Sequence, residues 1–246
     1  MSKYITAFQM TQSMFCSLPF PCKNWDEKCR KWMLLFLPVV GLEIGALWFV
    51  ADYILRFFEV SNFIYAVGMC ALPYLLTGFM HLDGYMDVID AVCSWRPLEQ
   101  RREILKDSHV GSFAVVWCIF LILAEFAMFA SVPEDAGRGV LLFVPALSRC
   151  CSALAIMSLK PMNTSQYVDG EYSKVQKCIV FGILLLFTGC SFLLWKKYGF
   201  VLLAAICGYG AALRRGYRSL EGMNGDISGF CICISELCAA AALALL

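Results

Sequence analysis

Long apolar runs constrain this chain more than any other feature. Crossing the hydrocarbon layer of a membrane takes about 20 mostly apolar residues. Stretches that meet or approach this length recur near 33–58, 61–80, 110–130, 138–158, 178–195, 198–213 and 227–246, the sixth being the weakest. A backbone in lipid must satisfy its own hydrogen bonds, so such spans are helices. The expectation is an all-α, polytopic helical membrane protein with about seven transmembrane helices, built as a single integral membrane domain over residues 1–246. A soluble reading fails on composition. With 60% of its 246 residues hydrophobic and a mean hydropathy of +0.69, the chain lacks the polar surface needed to cover a water-exposed core of this size.

Net charge is +1, so the placement of basic residues says more than their sum. Residues 1–32 are amphipathic and end in Lys28, Arg30 and Lys31, which predicts an interfacial segment ahead of the first span. Polar Gln9, Thr11, Gln12 and Ser13 interrupt the start, unlike a cleaved signal. With the N-terminus in the cytoplasm, segments 1–32, 81–109, 149–177 and 214–226 share one face. They carry every Lys and Arg except Arg56, Arg138, Lys196 and Lys197. The positive-inside bias therefore predicts a multi-pass protein of the cell (inner) membrane with its polar loops facing the cytoplasm. The 14 cysteines are scattered through apolar runs and read as reduced core residues. Cys150-Cys151 and Cys231-x-Cys233 lack the partners of a zinc site.

The strongest chemical signal is Leu76 to Asp90, where an apolar span runs into His81, Asp83, Asp87 and Asp90. At about 100° per residue, helical steps of four and seven bring the three aspartates within roughly a 60° arc of one face. Like charges at a membrane boundary repel unless a cation neutralises them. Carboxylate oxygens are hard donors suited to Mg²⁺, which commonly shares its shell with substrate phosphates. The pattern points to phosphoryl chemistry. The plainer alternative is that Asp83 caps a helix and the other two are solvated; His81 serves equally as a base or as an interfacial side chain.

A second cluster, Arg101-Arg102-Glu103-Ile104-Leu105-Lys106-Asp107-Ser108-His109-Val110-Gly111, joins cations, a carboxylate and a glycine. Arg102, Lys106, Asp107, Ser108 and Gly111 are candidates to hold phosphates; alternatively the cations fix topology and Asp107 or Ser108 caps a helix. Arg149 either meets a phosphate or snorkels to headgroups. A third cluster runs from Arg214-Arg215 to Asn224-Gly225-Asp226. Arg214, Arg215, Asn224 and Gly225 are candidate substrate contacts and Asp226 a candidate metal ligand; Asn-Gly as a turn with Asp226 as a cap explains them equally well. Glu43 and Glu236 lie nominally within spans and call for polar partners.

Together these segments resemble the cobalamin synthases, also called adenosylcobinamide-GDP ribazoletransferases, along nearly the whole chain. The family pattern T-G-G-x-H-L-D-G-x-x-D-x-x-D-G is similar to Thr77 to Ala91, with His81, Asp83, Gly84, Asp87 and Asp90 matched. Glu103 to Ala114 resembles its E-I-M-[KR]-D-S-[RH]-x-G-[ST]-[FH]-G. Glu221 to Gly229 resembles its G-G-x-[TN]-G-D-x-x-G, and Phe36 to Gly41 and Ser148-Arg149 add to the likeness. Phe79, Ala91, Ala114 and Glu221 stand where the family has glycine. The resemblance implies attack by the ribose 3′-hydroxyl of α-ribazole, or of its 5′-phosphate, on the cobinamide-side phosphorus of adenosylcobinamide-GDP, with GMP leaving. It implies Mg²⁺ held by Asp83, Asp87, Asp90 and Asp226, catalysis by His81 and the three aspartates of the stripe, and membrane lipid as surroundings. It implies no nucleic acid and leaves a homo-oligomer open. A CDP-alcohol phosphotransferase would share the acidic helix, but its D-G-x-x-A-R motif is not matched by Asp83-Gly84-Tyr85-Met86-Asp87-Val88. A cation transporter would place its charges nearer the bilayer midplane.

Overall fold

The computed structural model describes residues 3–20, 25–162, 165 and 172–246. Parts of the segments 1–32 and 149–177 assigned to the cytoplasmic face lie outside the described residues, as does Cys22. The chain forms α1 (Lys3–Phe15), α2 (Arg30–Met33), α3 (Leu37–Phe57), α4 (Asn62–Leu76), α5 (Met80–Cys93), α6 (Leu98–Ile104), α7 (Ser112–Ala130), α8 (Val144–Ser158), α9 (Lys174–Trp195), α10 (Gly199–Leu220) and α11 (Gly225–Leu245). Among the described residues there is no strand, only an isolated bridge between Pro161 and Met223. The all-α expectation holds.

Helix ends follow local chemistry. Pro38 and Pro145 sit in the first turns of α3 and α8, where a missing N–H costs nothing. Ser173 and Gln176 form a capping box on α9. Asn224 caps α11, accepting from the Ile227 N–H at 3.0 Å.

Five stretches are long and apolar enough to cross a membrane: Leu37–Phe57, Ser112–Ala130, Arg138–Ser158, Lys174–Leu220 and Gly225–Leu245. α4 and α5 together make a sixth, bent by 91°. The sequence predicts about seven, and the difference arises at two places. Lys174–Leu220 is one 47-residue stretch, about 70 Å long if straight, interrupted at Lys196 with φ 50° and by the short 3₁₀ turn Lys196–Tyr198. The span expected at 61–80 ends at Leu76, and the chain then turns sharply.

Burial fits a lipid solvent. Val116, Ile119, Phe120 and Leu123 on α7 and Leu185, Leu186 and Leu193 on α9 are exposed although large and apolar, as helix faces in hydrocarbon are. The inner side is packed around α11, which touches α5, α7, α8 and α10. Polar groups inside the spans find partners. Glu125 accepts from Tyr74 Oη at 2.8 Å, Asp52 from Tyr65 Oη at 2.8 Å, and Glu43 from Gln12 Nε2 at 2.5 Å. All cysteines among the described residues are free.

Candidate active site

The break between α4 and α5 creates the site. Gly78 and Phe79 both take left-handed backbone angles, φ 57° and 61°, and the new helix leaves at 91° to the old one. α5 then buries His81, Leu82, Tyr85 and Val88 on one side. Asp83 stays exposed while Asp87 and Asp90 are partly buried, so the stripe read from the sequence lies along the border of this packing face.

A fourth carboxylate joins from α11 because the two helices meet backbone to backbone. A Cβ on Gly84 would lie 2.9 Å from the Asp226 Cα, and one on Gly229 would lie 2.9 Å from the His81 carbonyl oxygen. No other residue fits either position without pushing the helices apart. Asn224 holds Asp226 as well as capping its helix, donating from Nδ2 to Oδ2 at 2.6 Å. The turn-and-cap alternative is thus half realised: the cap is Asn224, which leaves Asp226 in the first turn beside α5. Asp83, Asp226 and Asp90 stand close enough to Asp87 for their charges to act on it.

Asp90 is drawn another way. Its Oδ1 accepts from the Ala114 N–H at 3.4 Å, and a Cβ on Gly111 would overlap its carboxylate. α7 has no cap from its own preceding residue; Asp90 takes that place across the helix junction. Gly111 therefore makes room for Asp90, whatever else it touches.

A cavity of about 260 Å³ opens beside the acidic group, lined on its polar side by His81, Asp83, Arg149, Ser152, Asp226 and Ser228, with Gly225 exposed at its edge. Arg149 is 2% exposed and does not snorkel. One amine, Nη1, pairs with Glu236 and reaches Ser148 Oγ at 3.0 Å, which supplies the partner that Glu236 needs inside its span. The other amine, Nη2, is buried with no partner, as is His81 Nε2. Ser152 and Ser228 hydrogen-bond to each other. The sequence reading passed over both, although Ser152 lies one helical turn beyond Arg149.

The remaining candidates are spread along the same end of the molecule without entering this cavity. Arg102 donates from Nε to the Leu220 carbonyl at 3.0 Å and from Nη2 to the Glu221 carbonyl at 3.1 Å, which satisfies the C-terminus of α10. With Lys106 and Lys160 it lines a second cavity of about 320 Å³, together with Glu99, Glu103 and Glu221. Asp107 borders a shallow recess with Asp90, Arg96 and Gly111; hydrogen bonds from the His109 ring and backbone hold its carboxyl below the usual range. Ser108 is exposed between them. Arg214 and Arg215 are exposed on the last turns of α10, Arg215 near enough to Cys93 at the end of α5 to act on it electrostatically.

Among the described residues no three His, Cys, Asp or Glu side chains close into a ready-made metal site. The donor set nonetheless fits Mg²⁺ in kind, since Asp83, Asp87 and Asp226 offer only hard oxygens and that ion takes one or two carboxylates, with water and phosphate filling the rest.

Comparison with known proteins bears on the same residues. The model of a family described as cobalamin-5-phosphate synthase matches residues 7–244. A protein of Clostridium perfringens named adenosylcobinamide-GDP ribazoletransferase is 35% identical over 244 residues, covering 96% of each chain. Proteins of the same name from Clostridium botulinum and Lachnoclostridium phytofermentans are 29% and 27% identical, covering 96% of this chain and 96% and 92% of their own. No solved structure matches the chain.

Proposed function

The chain belongs to the cobalamin-5-phosphate synthase family, and from that membership we propose that it joins adenosylcobinamide-GDP to α-ribazole or α-ribazole 5′-phosphate, giving adenosylcobalamin or its 5′-phosphate and GMP. The observation that carries this reading is the meeting of Asp83 and Asp87 on α5 with Asp226 on α11 beside a cavity holding His81 and Arg149. The ribose 3′-hydroxyl oxygen forms a bond to the cobinamide-side phosphorus, the bridging P–O bond of the diphosphate breaks, and GMP departs with that bond's electrons. The hydroxyl proton passes to a base of the protein, and the partnerless Nε2 of His81 supports that residue in the role.

Mg²⁺ held by Asp83, Asp87 and Asp226 would neutralise the diphosphate and the charge on the leaving phosphate. Without that neutralisation the carboxylates repel both each other and the anionic donor. Arg149 contributes a fixed positive charge, kept in place by Glu236. Lys106 and Lys160, at a separate cavity on the same end that Glu99, Glu103 and Glu221 also line, are the cations left there to meet diphosphate or GMP oxygens. The concentration of Lys and Arg in the loops at this end supports a cytoplasmic-facing site.

The test is incubation of purified protein in lipid with adenosylcobinamide-GDP, α-ribazole and Mg²⁺, with and without a chelator, followed by mass spectrometry. Formation of a cobalamin and GMP that stops with chelator is the expected result. Folded protein that makes neither product, with either form of ribazole, overturns the reading.

A further inference from the structure

The cavity beside the aspartates has a second wall that the reaction chemistry leaves unexplained. Its polar side comes from α5, α8 and α11, whereas Met14 and Phe15 of α1, Leu37 of α3, Ile156 and Ile232 make it apolar elsewhere. α1 is fastened there rather than floating in the interface. Gln12 Nε2 donates to Glu43 of α3. Just past its end, Ser17 N and Oγ each donate at 2.8 Å to the carbonyls of Leu76 and Leu75, where α4 breaks. The residues that end α4 thus also fix Met14 and Phe15 over the site.

Two features narrow what fits. A volume of about 260 Å³ lies just below the roughly 300–1,000 Å³ usual for small-molecule pockets, so the cavity suits a nucleoside and excludes a corrin ring. His81 and Arg149, 7% and 2% exposed, each keep a polar nitrogen without a partner. A lipid tail would leave both against hydrocarbon, at a cost of several hydrogen bonds' worth of desolvation.

We propose that this cavity is the acceptor-nucleoside pocket, in which Met14 and Phe15 of α1 form the wall that selects a flat, uncharged aromatic base while His81 Nε2 and Arg149 Nη2 meet the sugar side. The assignment rests on the transferase reading given above, and adds to it the residues that set acceptor specificity. A base seated against α1 keeps its ribose beside Asp83 and Asp226, and leaves the bulky donor to approach from the open, aspartate-lined side.

Equilibrium dialysis of α-ribazole against the full chain in lipid nanodiscs, with no donor present, tests the pocket apart from the reaction. Wild type is expected to bind α-ribazole and to prefer it over free ribose, which lacks the base. Phe15→Ala, which opens the wall, and Met14→Trp, which fills the cavity, are expected to weaken binding by about tenfold or more. In steady-state kinetics the same factor should appear in the KM for α-ribazole, with the KM for adenosylcobinamide-GDP unchanged. The proposal is overturned if both variants, folded by thermal unfolding, keep wild-type nucleoside affinity, or if their effect falls on the donor KM alone. It is equally overturned if native mass spectrometry finds a lipid in the cavity that α-ribazole does not displace. Wild-type turnover separates the two readings: absence of cobalamin counts against the reaction, while the dialysis still decides the pocket.

Discussion

At the scale of single residues, two departures from the family pattern coincide with the backbone geometry that explains the glycines. Phe79 and Glu221 replace glycine, and both take left-handed angles, φ 61° and 51°. An L side chain there costs about 1–2 kcal/mol. Glu221→Gly is therefore expected to raise stability by about 1 kcal/mol, read as a higher thermal midpoint in lipid. An unchanged or lower midpoint would show that Glu221 contributes contacts worth more than the strain. The aspartates obey different logic. Asp83→Asn and Asp87→Asn each remove a charge from a group whose charges already oppose one another, so folding should survive. Turnover should fall by at least about a hundredfold. Near-normal turnover in both variants would remove them from the metal-binding role. Asp90→Asn is a useful contrast, because its carboxylate also serves the start of α7.

At the scale of elements, the site depends on how closely α5 and α11 approach. A Cβ added at Gly84 or at Gly229 would lie 2.9 Å from backbone atoms of the other helix, and interiors have little slack to absorb an added methyl. Gly84→Ala and Gly229→Ala are each expected to cost about 1–3 kcal/mol and to separate Asp226 from Asp83 and Asp87. The signature is loss of activity that added Mg²⁺ partly restores, because weakened metal binding responds to concentration. A variant with wild-type activity at low Mg²⁺ would show that the close approach is dispensable. The short links at this end act together: Asn224 caps α11, Arg102 caps α10, and the Pro161–Met223 bridge ties the segment after α8 to the turn between them.

For the whole molecule, buried charge and orientation are the governing questions. Arg149 and Glu236 form a pair inside the helical packing. Removing one partner strands the other, at about 3–5 kcal/mol, whereas replacing both with apolar residues is often nearly neutral. Glu236→Met alone should accordingly be unstable, and the double variant Arg149→Met with Glu236→Met should recover the fold without activity. Recovery of activity in the double variant would dismiss Arg149 from the site. Orientation has a direct readout. Lys197 Nζ meets the carbonyl of Leu246, so the turn after α9 and the chain end share a face, opposite to Arg214 and Arg215. Cysteines introduced at Lys197 and at Arg214 should react with a membrane-impermeant thiol reagent from the outside and from the cytoplasm, respectively. The reverse pattern would invert the proposed topology.

The apolar runs by themselves determine that the chain is helical, because lipid leaves the backbone no other partner. The spacing of Asp83, Asp87 and Asp90 determines that they share a face, because helical periodicity is local. The positions of Glu43 and Glu236 announce that each must be paired, though not with what. Only the tertiary structure decided that the span expected at 61–80 stops at Leu76 and that Gly78 and Phe79 turn the chain sharply into α5, since an αL pair reads in sequence like any other Gly-Phe. It also decided that Asp226 joins the stripe while Asp90 turns partly toward α7, and that α1 walls the cavity. Those outcomes depend on contacts between residues far apart in the chain, and no local pattern encodes how close two helices come.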